Sequence, residues 1–417
     1  MELTVARRTY RPSIAALDAV VGLGERCGLP FARLDVPGML RAARRRERLD
    51  DWGDEAFLPR FERLMEAARA APLTALARLV TREACIKAVG NRLRWHDWVR
   101  RHPEVAGVPV AAPLFILGFP RTGTTLLQNL LCLAPGRRAL RFHELMNPVP
   151  LRDDPAADLR VRRRRTAGIV RAAYAIAPEQ GSIHAIGVDT MEECWPLFFN
   201  SFAVMNYDLA GGMEDFGDWM MAQDMVGPYR EYRAQLQILS AGRPAAQLLL
   251  KCPEHLWNLD ALFAVFPDAR VIWTHRDPVA SVASYSSLVS LNFRMLYGRF
   301  DPVALGDHVA RRLRFGVERA MEARARLGDE SRFFDVDFQA LQADPVAMVH
   351  RIQRHFGEAV APGHTAAMEG FLAAERADAK GKHRYSAEAF GLSRPEIEGS
   401  YGRYIERFGI LPARRPA

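Results

Sequence analysis

Residues 114–131, LFILGFPRTGTTLLQNLL, constrain this chain more than any other stretch. A short apolar run ends in a glycine-bounded turn, and an amphipathic run follows. That layout is a strand, a phosphate-type loop and a helix. The nucleotide loop G-x-x-x-x-G-K-[ST] is matched at Gly118, Gly123 and Thr125, but its lysine slot holds Thr124. Gly123 can adopt backbone angles that aim amides inward, and the helix start adds N–H groups and partial positive charge. Arg121 and the threonine hydroxyls can donate to phosphate-like oxygens. The loop reads as an anion site.

The alternation continues downstream. AAQLLLKCP, ARVIWTHR and SRFFDVDF read as three more short strands. Helical segments follow them: EHLWNLDALFAVF, DPVASVASYSSL and the stretch after Asp344-Pro345. Short apolar strands alternating with helices predict an α/β fold, a P-loop-like three-layer core with a parallel sheet flanked by helices. Ligands on such sheets sit at the carboxyl ends of the strands, so the polar residues after the first three strands are expected to converge there. Residues 1–108 read as an N-terminal helical extension, and 103–113 as the connection into a domain covering 109–417. Within that domain, 151–245 reads as a helical insertion that shapes an acceptor pocket. Its aromatic run Trp195, Phe198, Phe199 and Phe202 has helical spacing, which suits core packing or an apolar pocket wall.

Composition narrows the class. Of 417 residues, 49% are hydrophobic and 25% charged, as in a soluble globular chain. The start, MELTVARRTYRPS, lacks the apolar segment of a signal peptide, and no apolar run reaches membrane-span length, so a cytoplasmic protein is expected. Five scattered cysteines without a C-x-x-C argue for core residues rather than a disulfide framework or zinc site. The net charge of +8 suits an anionic ligand, yet no nucleic-acid module is visible, and the run Arg162–Arg165 reads as a solvated face. Lysine occurs only at Lys87, Lys251, Lys380 and Lys382 among 57 basic residues. Against that arginine bias a retained lysine is informative, because a compact point charge does not replace a guanidinium fork.

A second motif is THRDPVASVAS, residues 274–284. Arg276 ends a strand and Ser284 lies eight residues on, within the next helix, so arginine and hydroxyl can grip one phosphate from two sides. Together the motifs Pro120-Arg121-Thr122-Gly123-Thr124-Thr125 and Arg276…Ser284 resemble those of the PAPS-dependent sulfotransferases, PAPS being 3′-phosphoadenosine-5′-phosphosulfate. The chain is most similar to bacterial members of the branch that includes tyrosylprotein sulfotransferases, over roughly residues 110–410. The resemblance implies that Arg121, Thr122, Gly123, Thr124 and Thr125 hold the 5′-phosphosulfate, and that Arg276 and Ser284 hold the 3′-phosphate. A phosphosulfate carries less charge at its transferable end than a polyphosphate, which accords with Thr124 in place of lysine.

Three further stretches bear on the chemistry. In RFHELMNPVP, Glu144 lies 23 residues after Arg121, near where the resembling branch carries the glutamate that deprotonates the acceptor. His143 is adjacent and is a second candidate. In LLLKCPEHLWNL, Lys251 fits the strand-end lysine that stabilises charge on the transferring group. Pro253 stands where the cytosolic small-molecule enzymes carry their histidine base; Glu254 and His255 follow, one or two residues late. In AKGKHRYSAEAFGL, Lys380, Lys382 and His383 resemble the basic segment that closes over the nucleotide. The expected reaction is sulfuryl transfer from PAPS to a hydroxyl or amine of a small-molecule, lipid or glycan acceptor, releasing adenosine 3′,5′-bisphosphate (PAP), with no metal required. The rivals are a kinase with a degenerate loop, which would need a lysine at position 124 and a magnesium-binding aspartate, and a non-catalytic nucleotide-binding protein.

Overall fold

The computed structural model describes residues 12–179, 181, 185–243, 246–377 and 386–412. Five parallel strands form its sheet, in the order β2-β3-β1-β4-β5. They are β1 (Leu114–Gly118), β2 (Arg137–Arg138), β3 (Gln247–Lys251), β4 (Arg270–His275) and β5 (Phe333–Asp337). β1 lies at the centre, between β3 and β4, and all five of its residues are buried. A strand covered on both faces reads as a continuous apolar run, which is why LFILG shows no alternation.

Alternate β1 residues feed two separate cores. Leu114 and Ile116 pack with Leu127, Leu131, Val349 and Ile352 on one face. Phe115 and Leu117 pack with Trp257, Leu313 and Val317 on the other. This two-sided burial is the three-layer α/β arrangement expected from the alternation of strands and helices. Helix Thr124–Leu131 follows β1, and helix Pro278–Tyr297 follows β4.

Two elements differ from the sequence reading. The segment after β3 is a 3₁₀ turn, Pro253–Trp257, followed by the helix Leu259–Val265, rather than one helix over 254–266. Pro253 lacks an N–H and Asn258 takes non-helical angles between the two pieces. The edge strand β2 consists of two arginines and carries no apolar signature.

The N-terminal extension is helical: α1 (Pro12–Arg26), α2 (Val36–Glu47), α3 (Leu58–Ala70) and α4 (Ala75–Arg101). It packs into the larger of the two sheet cores, where Met39, Phe61, Leu64 and Val89 join Phe198, Phe202 and Tyr232. The rings of Phe61 and Phe202 stack with centroids 4.0 Å apart.

Candidate active site

The loop between β1 and the next helix is held open by unusual backbone angles. Gly118 has φ +138°, and Gly123 has φ +80° as the helix N-cap. Arg121 has φ +69°, a left-handed conformation costly for a side-chain-bearing residue and a mark of a locally overdetermined site. Gly123 offers no side chain to cap the helix, so the first N–H groups of Thr124–Leu131 lack the usual capping oxygen. Thr122 is fully buried; its hydroxyl donates to the Phe119 carbonyl at 2.6 Å and pairs with the Thr274 hydroxyl at 2.6 Å. It therefore ties the loop to β4 rather than facing outward. The hydroxyl of Thr125 accepts from Lys251 Nζ at 3.4 Å.

The expected convergence is present at the carboxyl ends of β1, β3 and β4. Lys251, the last residue of β3, meets Thr125 of the loop. Arg276, just past β4, donates from Nη1 to the Arg121 carbonyl at 2.7 Å, and its guanidinium lies 4.4 Å above the Phe338 ring. Asp277 caps the following helix through the Val279 N–H and pairs with Arg394 at 3.1 Å. Ser284 is buried in that helix. Lys380, Lys382 and His383 lie outside the described residues.

A residue not singled out in the sequence completes the cluster. Glu193 Oε1 lies 3.5 Å from Lys251 Nζ. Its segment runs back along residues 140–143, with Phe142 N–H on Thr190 and Glu192 N–H on Leu140, and the Cys194 N–H then donates to the Lys251 carbonyl at 3.0 Å. The acidic pair Glu192-Glu193 in the stretch DTMEECWPLFF would have been its only signal.

The other candidate bases are placed differently. Glu144 is buried and engaged elsewhere: Oε1 meets Arg138 at 2.5 Å and Arg243 at 2.9 Å, and Oε2 accepts the Arg141 N–H at 2.9 Å. Burial would raise its pKa, but Arg138, the Arg141 N–H and Arg243 hold it below the ordinary carboxylate value. His143 faces the Val188 carbonyl and Asp189, and burial lowers its pKa. His255 is sealed in the core, between Cys194 Sγ at 3.3 Å and the Tyr229 hydroxyl at 2.7 Å. Glu254 accepts the Met205 N–H at 3.1 Å; burial, with the negative charge of Glu193 adding, pushes it up to about 8. Arg162 is not part of a solvated face: it is buried, paired with Asp158 at 2.7 Å and bonded to the Asn147 carbonyl.

Two cavities open beside this cluster. One, of about 250 Å³, is lined by Pro120 of the loop, Glu192, Glu193, Pro253 and Tyr285, among others. The second, of about 390 Å³, is almost wholly apolar and reaches α4. They share Trp195, Pro196, Asn206, Ala210 and Asn292. The aromatic run thus divides: Trp195 and Phe199 line the larger cavity, Phe198 and Phe202 do not, and Phe199 also belongs to the core with those two. Among the described residues, Glu144 and His255 line neither cavity.

Known proteins share this architecture. Sulfotransferase STF1 of Mycobacterium tuberculosis superposes with a TM-score of 0.78 at 28% identity, covering 88% of this chain and 98% of that one. Sulfotransferase STF9 of Mycobacterium avium gives 0.79 at 28% identity, covering 91% and 98%. In sequence, the omega-hydroxy-beta-dihydromenaquinone-9 sulfotransferase Stf3 of Mycobacterium tuberculosis is 27% identical over 181 residues, 41% of this chain. The match spans 44% of that relative's length. The sulfotransferase family model matches residues 113–362, from the first residue before β1 to beyond β5. The chain belongs to the sulfotransferase family and is an enzyme of that class.

Proposed function

We propose that the enzyme moves a sulfuryl group from PAPS to the hydroxyl of an apolar, lipid-like acceptor. The observation that carries this reading is the meeting of two strand ends on the loop after β1, Lys251 on Thr125 and Arg276 on the Arg121 carbonyl, with Glu193 on Lys251. The left-handed loop and the uncapped helix start suit an anion. When bound, the donor supplies an activated sulfuryl group with PAP as its leaving group. Arg121, Gly123, Thr124 and Thr125 would hold the 5′-phosphosulfate, with Thr122 fixing the loop from behind. Arg276 and Ser284 would hold the 3′-phosphate, and Lys380 and Lys382 would cover the nucleotide.

Lys251 would stabilise the charge that develops on the oxygen bridging phosphorus and sulfur as its bond to sulfur breaks. Glu193, in the cavity wall beside Pro120, would take the acceptor hydroxyl's proton as that oxygen bonds to sulfur. This reading moves the base from Glu144, whose carboxylate is held by two guanidinium groups, to Glu193. The apolar cavity supports a lipid-like acceptor, and so does the menaquinone acceptor in the name of the Stf3 relative.

The test is transfer of labelled sulfate from PAPS to long-chain alcohols, with PAP binding measured by calorimetry. Glu193→Gln is expected to keep PAP binding within about threefold and to lose at least about a hundredfold in turnover. Unchanged turnover in Glu193→Gln would return the base to Glu144 or Glu254. Absence of PAP binding by the wild-type protein would remove the donor.

A further inference from the structure

The larger cavity contains an amine that the transfer chemistry does not use. Lys87, on α4, lines its wall together with Val80, Ala84, Trp195, Phe199 and Leu296. Its ammonium donates to the Met146 carbonyl, which among the described residues is its one hydrogen-bond partner. No carboxylate of the described residues forms an ion pair with it. The neighbouring Asn91 and Asn200 are occupied with each other: Asn91 Nδ2 donates to Asn200 Oδ1 at 2.9 Å, and Asn200 Nδ2 to Gln235 at 2.8 Å. A lysine amine carries more than one N–H, so donors remain after Met146 is served.

Placing a lysine here is costly. Burial, with Arg94 and Arg165 adding, lowers its pKa to about 7. A methionine or leucine would satisfy the same wall without desolvating an amine, and this chain otherwise uses arginine almost exclusively. A donor on the wall of a mostly apolar cavity, at the α4 end away from Glu193, is what orients a ligand with an apolar body and one polar group; Asn206 and Asn292 also line this cavity, where it joins the smaller one. The cavity joins the smaller one through Trp195, Pro196 and Asn206, and the smaller one reaches Glu193 and Pro120. A molecule lying along both would present one end to Glu193 and another to Lys87.

We propose that Lys87 is a specificity residue of the acceptor site, and that the acceptor is an alcohol with an extended apolar body and a second oxygen, carbonyl or hydroxyl, remote from the hydroxyl that receives the sulfuryl group. The N-terminal extension is then a wall of the acceptor site. The inference rests on the sulfuryl-transfer reading above for the reacting end, but not for binding at the Lys87 end.

The experiment compares two acceptors of equal chain length, 1-dodecanol and methyl 12-hydroxydodecanoate. Binding is read by quenching of tryptophan fluorescence without donor, since Trp195 lines both cavities, and transfer is read with labelled PAPS. Wild type is expected to bind the hydroxy-ester about tenfold more tightly than dodecanol, the worth of one good hydrogen bond. Lys87→Met should bring that ratio to about one, with the change in KM rather than kcat. Lys87→Gln, which keeps a donor, should give an intermediate ratio and covers the case in which the methionine variant does not fold. An unchanged ratio in either folded variant overturns the proposal, as does a wild type that binds neither acceptor or shows no preference. Acceptor binding with the expected ratio but without transfer from PAPS leaves this inference standing and removes the donor reading instead.

Discussion

Gly118 lies opposite Thr274 where β1 pairs with β4. A β-carbon there would lie 2.3 Å from the Thr274 hydroxyl oxygen and 2.4 Å from the Thr274 carbonyl oxygen, and Thr274 is fixed by bonds to Thr122 and Leu117. With φ at +138° the position also excludes most side chains on backbone grounds. Gly118→Ala is expected to cost at least about 3 kcal/mol, checked by urea unfolding. Arg276 makes a different kind of contribution. Its removal deletes a donor to the Arg121 carbonyl along with the cation, so Arg276→Ala should weaken PAP binding at least about tenfold by calorimetry, with little change in melting temperature. Glu254 gives a pH signature. Its folded pKa of about 8 lies above the ordinary glutamate value of 4.5, so the folded state holds a proton that the unfolded chain releases between those values. That group's contribution is therefore absent below about pH 4.5 and becomes destabilising as pH rises towards about 8. Glu254→Gln keeps an acceptor for the Met205 N–H and should flatten the fall in Tm between pH 5 and pH 8; an unaltered slope would assign it to other groups.

At the scale of elements, the short helix Phe142–Met146 carries a carboxylate whose sequence position suggests chemistry and whose contacts are those of a cap and an ion-pair hub. Glu144 closes back on the Arg141 N–H and draws Arg138 of β2 and Arg243, before β3, onto one point. It thereby fixes the helix against the edge of the sheet. Glu144→Ala removes a cap and leaves Arg138 without its partner, so a loss of about 2–3 kcal/mol is expected by chemical denaturation. Turnover per folded molecule should stay within about tenfold of wild type. The opposite pattern, intact stability with abolished turnover, would restore Glu144 as the base. The helix after β1 illustrates the reverse case: the glycines, the threonines and the helical spacing all lie within the eighteen-residue stretch 114–131, and the element forms where that stretch indicates.

For the whole molecule, the N-terminal extension and the sheet share a core. Phe61 of α3 stacks on Phe202, and Met39, Leu64 and Val89 join the same cluster as Trp257 and Tyr232. Phe61→Ala should cost about 3–5 kcal/mol and shift one cooperative transition, monitored by calorimetry and circular dichroism together. Two separate transitions would instead mark the extension as an independent unit. The sequence by itself determined four of the five strands, the glycine-bounded loop after β1 and the arginine that follows β4. Each depends on neighbours within one or two turns, where glycine freedom, apolar period and strand-to-helix spacing act directly. Only the tertiary structure decided which carboxylate meets Lys251. Glu193 and Lys251 are 58 residues apart, and their approach depends on the path by which the insertion returns along residues 140–143. The same holds for Lys87, which enters the cavity because α4 packs over Met146, a contact between residues 59 positions apart that no local pattern encodes. Side-chain chemistry is written residue by residue, but the partners are chosen by the packing of distant segments.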